Sequence, residues 1–281
     1  MNILYIGDVM ASSGVRAVEK VLPGLRKEKH IDLVIAQAEN VTFGKSMSPD
    51  DMKVLMAAGV DFFTGGNHTP SREDIKPLLQ DENQPVIGPA NMRECPGKGW
   101  KYANTPKGKV LVVSLLGKIV GKDASTPVDN PFQTIDSILK ENEHIEKAAT
   151  VVNIHGDFSS EKVVTGYYLD GKVTAAVGDH WHVPTADAMI LPDGTAHITD
   201  VGMCGVLHSS LGVKLSTVIP RWRDGTVNRN ELETEGPLQF NAVLIISSAT
   251  NQTLSFFFAA FQRANPFQAS SHTAPMTISH Q

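Results

Sequence analysis

The chain has 281 residues, 41% hydrophobic and 20% charged, and a formal net charge of −5 from 25 Lys+Arg against 30 Asp+Glu. At ~150 residues per domain this makes about two domains or one large α/β domain, with enough chain for a buried core and a composition that excludes wholesale disorder. A net acidic chain is a poor fit to a broad basic face on duplex nucleic acid, although bound cations would still let it take an anionic substrate.

Residues 2–6 form an apolar β-run that stops at Gly7-Asp8. Val15, Val18, Val21, Leu22 and Leu25 recur at helical spacing and predict a helix over 13–29. Residues 32–38 are continuously apolar, the pattern of a strand buried on both faces. Ser48-Pro49-Asp50-Asp51 opens a second helix, with a serine cap and a first-turn proline, that ends near Gly59. Another strand over 60–64 precedes Gly65-Gly66. This rhythm predicts βαβ units and a largely parallel sheet.

Farther on, residues 99–104 and 109–116 flank Pro106-Lys107-Gly108 and predict a hairpin. Residues 117–131 carry no period and read as a surface excursion. A helix is expected over 135–149, strands over 150–154, 173–177 and 196–199, and a further helix from Ser160-Glu161-Lys162. Beyond Ile246 the sole formal charge is Arg263, and Phe256-Phe257-Phe258 leads into a Ser/Thr/Pro-rich stretch read as disordered or loosely packed. Cys95 and Cys204 form no disulfide framework, which suits a reducing compartment with both thiols buried. The start lacks a signal-peptide pattern and no apolar run is long enough for a membrane span, so a cytoplasmic protein without a membrane partner is expected.

Residues suited to metal ligation follow the predicted strands. Asp8 follows the first, Glu39-Asn40 the second and Asn67-His68 the third; His155 and the pair His180/His182 follow two later ones. Each alone reads as an ordinary turn residue, cap or hydrogen-bonded histidine. Loops at the carboxyl ends of parallel strands share one edge, so Asp8, Glu39, Asn40, Asn67, His155, His180 and His182 would deliver seven N/O donors to one place. Mixed carboxylate, amide and imidazole donors suit Mn, Fe or Zn better than a thiolate site would. Read as an extended segment, 180–182 places both imidazoles on one side of the chain. Glu39 has two oxygens with which to bridge a pair of ions, a geometry that clamps a phosphoryl group and activates water. His68, beside Asn67, is placed to protonate a leaving oxygen as a general acid. Gly44-Lys45-Ser46 is no P-loop, since Glu39 occupies the position of the required first glycine.

Gly7-Asp8-Val9, Ala38-Glu39-Asn40, Gly66-Asn67-His68-Thr69, Gly178–His182 and Thr199-Asp200-Val201-Gly202-Met203 together resemble the YmdB-like bacterial metallophosphoesterases, related to the calcineurin-like superfamily. The resemblance spans roughly residues 1–246, a metallophosphoesterase domain, and leaves 247–281 as an atypical low-charge tail. It implies an α/β fold, a four-layer α/β/β/α sandwich of the calcineurin-like type. It also implies two metal ions, iron or manganese first, with zinc or magnesium as alternatives. Asp8, Asn40 and His182 would hold one ion; Asn67, His155 and His180 the other; Glu39 would bridge, and His68 would be the acid. The implied activity is hydrolysis of a small phosphodiester or nucleotide, including 2′,3′-cyclic nucleotides, by a metal-bridging hydroxide. A homo-oligomer and a regulatory protein partner are further expectations of the resemblance. Pro70, Asp179 and Trp181 depart from its pattern, which usually has a Trp and small threonines there. Two competing functions are a regulatory protein that binds a nucleotide or partner with little turnover, and a phosphomonoesterase with a broad pocket.

Overall fold

In a computed structural model of the chain, residues 1–247 are described in full and residues 252–261 and 273–278 as backbone. The first half runs β1 (Asn2–Ile6), β2 (Asp8–Val9), α1 (Ala11–Glu28), β3 (Leu33–Gln37), α2 (Pro49–Ala58), β4 (Phe62–Thr64), α3 (Lys76–Gln80), β5 (Trp100–Thr105) and β6 (Gly108–Leu116). The rest runs α4 (Pro131–Glu141), β7 (Ala149–His155), α5 (Ser159–Tyr168), β8 (Ala175–Asp179), β9 (Met189–Ile190), β10 (Ala196–Ile198), β11 (Met203–Val206), α6 (Leu215–Asp224), β12 (Leu238–Ser247), β13 (Gln252–Phe261) and β14 (Thr273–Ile278).

Among the described residues these strands form two sheets. One has the order β14-β13-β12-β1-β3-β4, with β11 paired to β12 and β2 to β11; the other has the order β5-β6-β7-β8-β10-β9. The expected parallel pairing holds for β1–β3–β4 and for β6–β7–β8–β10. The first sheet is nevertheless mixed, because β12 lies antiparallel to β1, and the sequence reading has no counterpart for β12.

Strand side chains alternate between faces, and this alternation sets the layering. In β1, Leu4 and Ile6 enter one core with Val18 and Leu22 of α1 and Leu55 of α2. Ile3 and Tyr5 face the other way, into a core shared with Val110 and Val112 of β6 and Val151 of β7. Leu111, Val113 and Leu115 of β6 enter a third core with Ile135 and Ile138 of α4. Three cores between four layers make the α/β/β/α sandwich, and strands buried on both faces account for the unbroken apolar runs.

Local signals fix most boundaries. Ser48 caps α2, accepting a hydrogen bond from Asp51 N at 3.1 Å, and left-handed Gly59 (φ 111°) closes the helix. α4 is displaced from its expected span: Asn130 caps it through Phe132 N and Gln133 N, Pro131 occupies its first turn, and Asn142 ends it. Cys204 is buried and Cys95 half-buried, both free, and burial pushes each thiol up to about 12. No helix among the described residues is long and apolar enough to cross a membrane. Past Ile246, β13 pairs antiparallel with β12 and β14 with β13; the remainder of the tail lies outside the described residues.

Candidate metal centre and active site

The two sheets meet at an edge where the carboxyl ends of β1, β3, β4, β7 and β8 converge. Gly7 lets the chain turn into Asp8: a Cβ there would overlap the Gly202 carbonyl, and Asp8 N donates to that carbonyl at 2.9 Å. Asn40 Nδ2 lies 3.3 Å from Asp8 Oδ1, 3.1 Å from Glu39 Oε1 and 3.2 Å from His182 Nε2. His155 Nε2 is 3.2 Å from Glu39 Oε1 and 2.9 Å from His180 Nδ1. Donor atoms of Glu39, His155 and His180 all lie within 4.8 Å of one another. Gly66 closes the floor, since a Cβ on it would collide with Glu39 Oε2 and His155 Nε2. Asn67 follows; its Nδ2 is 3.5 Å from Asp123 Oδ2, and its Oδ1 is buried with no partner. All seven expected donors thus border one edge of the fold, from both sheets.

His180 and His182 do not lie on the extended segment that alternation predicts. β8 ends at Asp179, and His180 (φ 103°) and His182 (φ 63°) both have left-handed backbones, so 180–182 is a tight turn and not an extended segment. The turn sits on a buried support. Lys162 Nζ donates to Asp179 O at 2.9 Å and to Asp200 Oδ2 at 3.0 Å, and lies 3.8 Å from the Trp181 ring centroid. Asp200 Oδ2 in turn accepts from Trp181 N at 2.8 Å, and its Oδ1 from Gly202 N at 2.9 Å. Lys162 and Asp200 are both fully buried.

Sequence reasoning missed the carboxylates that orient the imidazoles. Asp179 Oδ1 is 2.7 Å from His155 Nδ1, and Asp179 Oδ2 accepts from Tyr5 OH, Gln37 Nε2 and Asn153 Nδ2 at 2.9, 3.0 and 2.6 Å. Asp157 Oδ1 is 3.2 Å from His180 Nε2. His182 Nδ1 points to Leu211 O at 3.2 Å. With these outer nitrogens as donors, His180 Nδ1 and His182 Nε2 turn lone pairs inward, and His155 Nε2 does so once it gives up its proton. The available signal was a charged residue, Asp179, at the end of an otherwise apolar strand.

The electrostatics fit a cation. Asp8, Glu39, Asp179 and Asp200 are four fully or almost fully buried carboxylates. Burial, and then the Asp179 charge, pushes the Asp8 carboxyl well above its ordinary range. Burial also pushes Glu39 up, but His155, His68 and His180 outweigh it and hold Glu39 well below the usual range. Burial lowers His155, but Glu39 and Asp179 outweigh it and lift the imidazole well above its ordinary value. His180 and His182 go the other way, to about 4, chiefly through burial. Without metal, protons on Asp8 and His155 therefore offset the buried negative charge, while His180 and His182 stay neutral. Inward lone pairs, an orphaned amide oxygen and excess buried carboxylate make a donor set that a cation completes.

This arrangement gives metal affinity a definite pH dependence. A group whose pKa is raised keeps its proton to higher pH, so His155 must release one when a cation binds near neutral pH. Titration calorimetry with Mn²⁺ at pH 7, in two buffers of different ionisation enthalpy, is expected to show release of about one proton per site or more. Affinity should then fall as pH drops from 8 to 6. Binding without proton release contradicts this assignment.

His68 stands at the solvent side of the cluster. Its backbone N donates to Glu39 Oε2 at 2.8 Å, its Nδ1 lies 3.0 Å from Asn40 Oδ1, and its Nε2 is 3.5 Å from Asp123 Oδ2. His197 has a structural role: it is buried in β10, with Nδ1 2.9 Å from Ala176 O.

The chain is 36% identical over 251 residues to the 2′,3′-cyclic-nucleotide 2′-phosphodiesterase of Bacillus subtilis (strain 168), covering 87% of this chain and 90% of that protein. A crystal structure of a hypothetical protein from Thermus thermophilus superposes with a TM-score of 0.83 at 34% identity, over 93% of this chain and all of that one. A crystal structure of a novel phosphatase from Mycoplasma pneumoniae gives 0.81 at 27% identity, over 99% and 93%. The family described as YmdB-like protein matches residues 4–256, nearly the whole chain and every donor named above, and the chain belongs to that family.

Proposed function

We propose that this protein is a metal-dependent phosphodiesterase whose substrates include 2′,3′-cyclic nucleotides. At the coarser level it is a phosphoric ester hydrolase, as a member of a family whose relatives carry phosphodiesterase and phosphatase names. One observation carries the finer reading: three imidazoles aim their inner nitrogens at Glu39 and Asp8 in a buried cluster with more carboxylate than compensating positive charge. Two divalent ions, manganese or iron, suit such mixed oxygen and nitrogen donors. When bound, they supply Lewis acidity toward the phosphoryl oxygens and lower the pKa of water.

The chain's own residues set the rest. Asp8, Asn40 and His182 form one side of the site and His155, His180 and Asn67 the other, with Glu39 between them in position to bridge. Asp179 and Asp157 hold the His155 and His180 rings in register. Asn40 Oδ1 accepts from His68 Nδ1–H, and in the imidazolium form the second proton, on Nε2 beside Asp123 Oδ2, is the one assigned to the leaving oxygen, which leaves neutral His68 with its hydrogen on Nδ1.

The test is hydrolysis of bis-p-nitrophenyl phosphate and 2′,3′-cyclic AMP by protein loaded with Mn²⁺, with p-nitrophenyl phosphate as the monoester comparison. His68→Ala is expected to keep its metal and lose turnover by ~10²–10⁴-fold. Loss of metal instead would make His68 a ligand or structural residue. Preference for the monoester would favour a phosphomonoesterase, and tight nucleotide binding without turnover a regulatory binding protein.

A further inference from the structure

Beside the metal centre lies a cavity of about 460 Å³, walled by the 116–128 segment and Phe158. Leu116, Val120, Ala124, Val128 and Phe158 give it an apolar lining, and Lys118, Asp123 and Thr126 supply polar side chains. Its volume and its few polar groups are those of a small-molecule site.

Two contacts tie this cavity to the reacting atoms. At one side Asp123 Oδ2 lies 3.5 Å from both His68 Nε2 and Asn67 Nδ2. At the other, Phe158 follows Asp157, whose Oδ1 is 3.2 Å from His180 Nε2 and whose Oδ2 accepts from Val120 N at 2.7 Å. Val120 and Phe158 are 53% and 47% exposed, large apolar side chains left in water at the mouth. An exposed phenyl ring beside an apolar hollow suits a flat heteroaromatic partner, which stacks on a ring face. The Asp123 carboxylate disfavours a second anionic group there.

We infer that the cavity formed by the 116–128 segment and Phe158 binds the aromatic group of the substrate, a nucleobase or comparable heterocycle, while the phosphate lies at the metal centre. This rests on the phosphodiesterase reading and adds a specificity determinant to it.

The experiment compares 2′,3′-cyclic AMP with ribose 2,3-cyclic phosphate, which has the same reacting phosphate and no base, on the full chain loaded with Mn²⁺. Wild type is expected to show a KM about tenfold to a hundredfold lower for the base-bearing ester, the range of one base stacked on an aromatic side chain. Phe158→Ala should bring the ratio of the two KM values toward one, and because the side chain is half exposed the truncation does not threaten the core. Equal KM values for the two esters in wild type overturn the inference. So does a ratio that survives Phe158→Ala but collapses in Phe43→Ala, the other exposed aromatic near the cluster, 86% exposed and three residues beyond Asn40. If none of the esters, bis-p-nitrophenyl phosphate included, is hydrolysed, the phosphodiesterase reading fails separately. Calorimetry with adenosine 2′-monophosphate against ribose 2-phosphate then decides the cavity: wild-type preference for the base, lost in Phe158→Ala, supports it, and no preference overturns it.

Discussion

Gly66→Ala is expected to give a folded protein that neither retains metal nor turns over. Gly66 does not have a positive φ, so its backbone accepts alanine without torsional strain. The obstacle is space, because the new Cβ would overlap Glu39 Oε2 and the His155 ring. Neither neighbour has somewhere to go: His155 Nδ1 is pinned by Asp179 at 2.7 Å, and Glu39 Oε2 is held by His68 N at 2.8 Å. A single methyl group thus displaces the Glu39 carboxylate and the His155 imidazole together. Metal-dependent catalysis commonly accounts for rate enhancements on the order of 10⁶-fold or more, and activity should fall toward background. Metal analysis after desalting, with circular dichroism to confirm the fold, checks this. Stoichiometric metal and full turnover in Gly66→Ala would place the ions elsewhere.

The second large effect falls on stability. Lys162→Met preserves most of the side chain's apolar stem and removes a charge that is wholly buried against Asp200. The Asp200 carboxylate would keep its bonds from Trp181 N and Gly202 N and lose its countercharge, already a strained position since burial pushes that carboxyl upward. Removing one partner of a buried pair costs about 3–5 kcal/mol. Because Lys162 also holds Asp179 O and lies over Trp181, the turn carrying His180 and His182 loses its support as well. Metal affinity should weaken by about 10–100-fold, the usual range for groups that orient ligands. Urea unfolding of metal-free protein gives the first number and metal titration the second. A stability change below about 1 kcal/mol would mean that the ion pair and its replacement are equivalent, as happens for some buried pairs.

Much of the first half of the fold was legible because β1, β3 and β4 announce themselves by apolar runs and α1 and α2 by periodicity and end signals. Ser48-Pro49 and Gly59 bracket α2 through local chemistry alone. β12 was not legible: its place beside β1 is a pairing over more than 230 positions that no local pattern encodes. In the site, Asp8, Glu39, Asn40, His155 and the 180/182 pair stood out as polar residues where apolar strands stop. Asp123 and Asp157 did not, because they sit in irregular segments whose partners no local pattern gives, and Asp179 showed only as a departure from the family pattern. The 180–182 turn escaped for a different reason. Its left-handed backbone is held by Lys162 and Asp200 from outside the segment, so alternation along the chain misdescribes it.

The centre draws Asp8, Glu39 and Asn40 from one sheet and His155, His180 and His182 from the other. A cation held there is therefore a clasp between two halves that are otherwise joined through the apolar layer of Tyr5, Ile35, Val112 and Val177. Separating the halves would strip the ion of about half its donors at once. Loading should consequently lengthen the lifetime of the folded state more than it speeds its formation, with the centre acting as a late lock on a sandwich that has already closed.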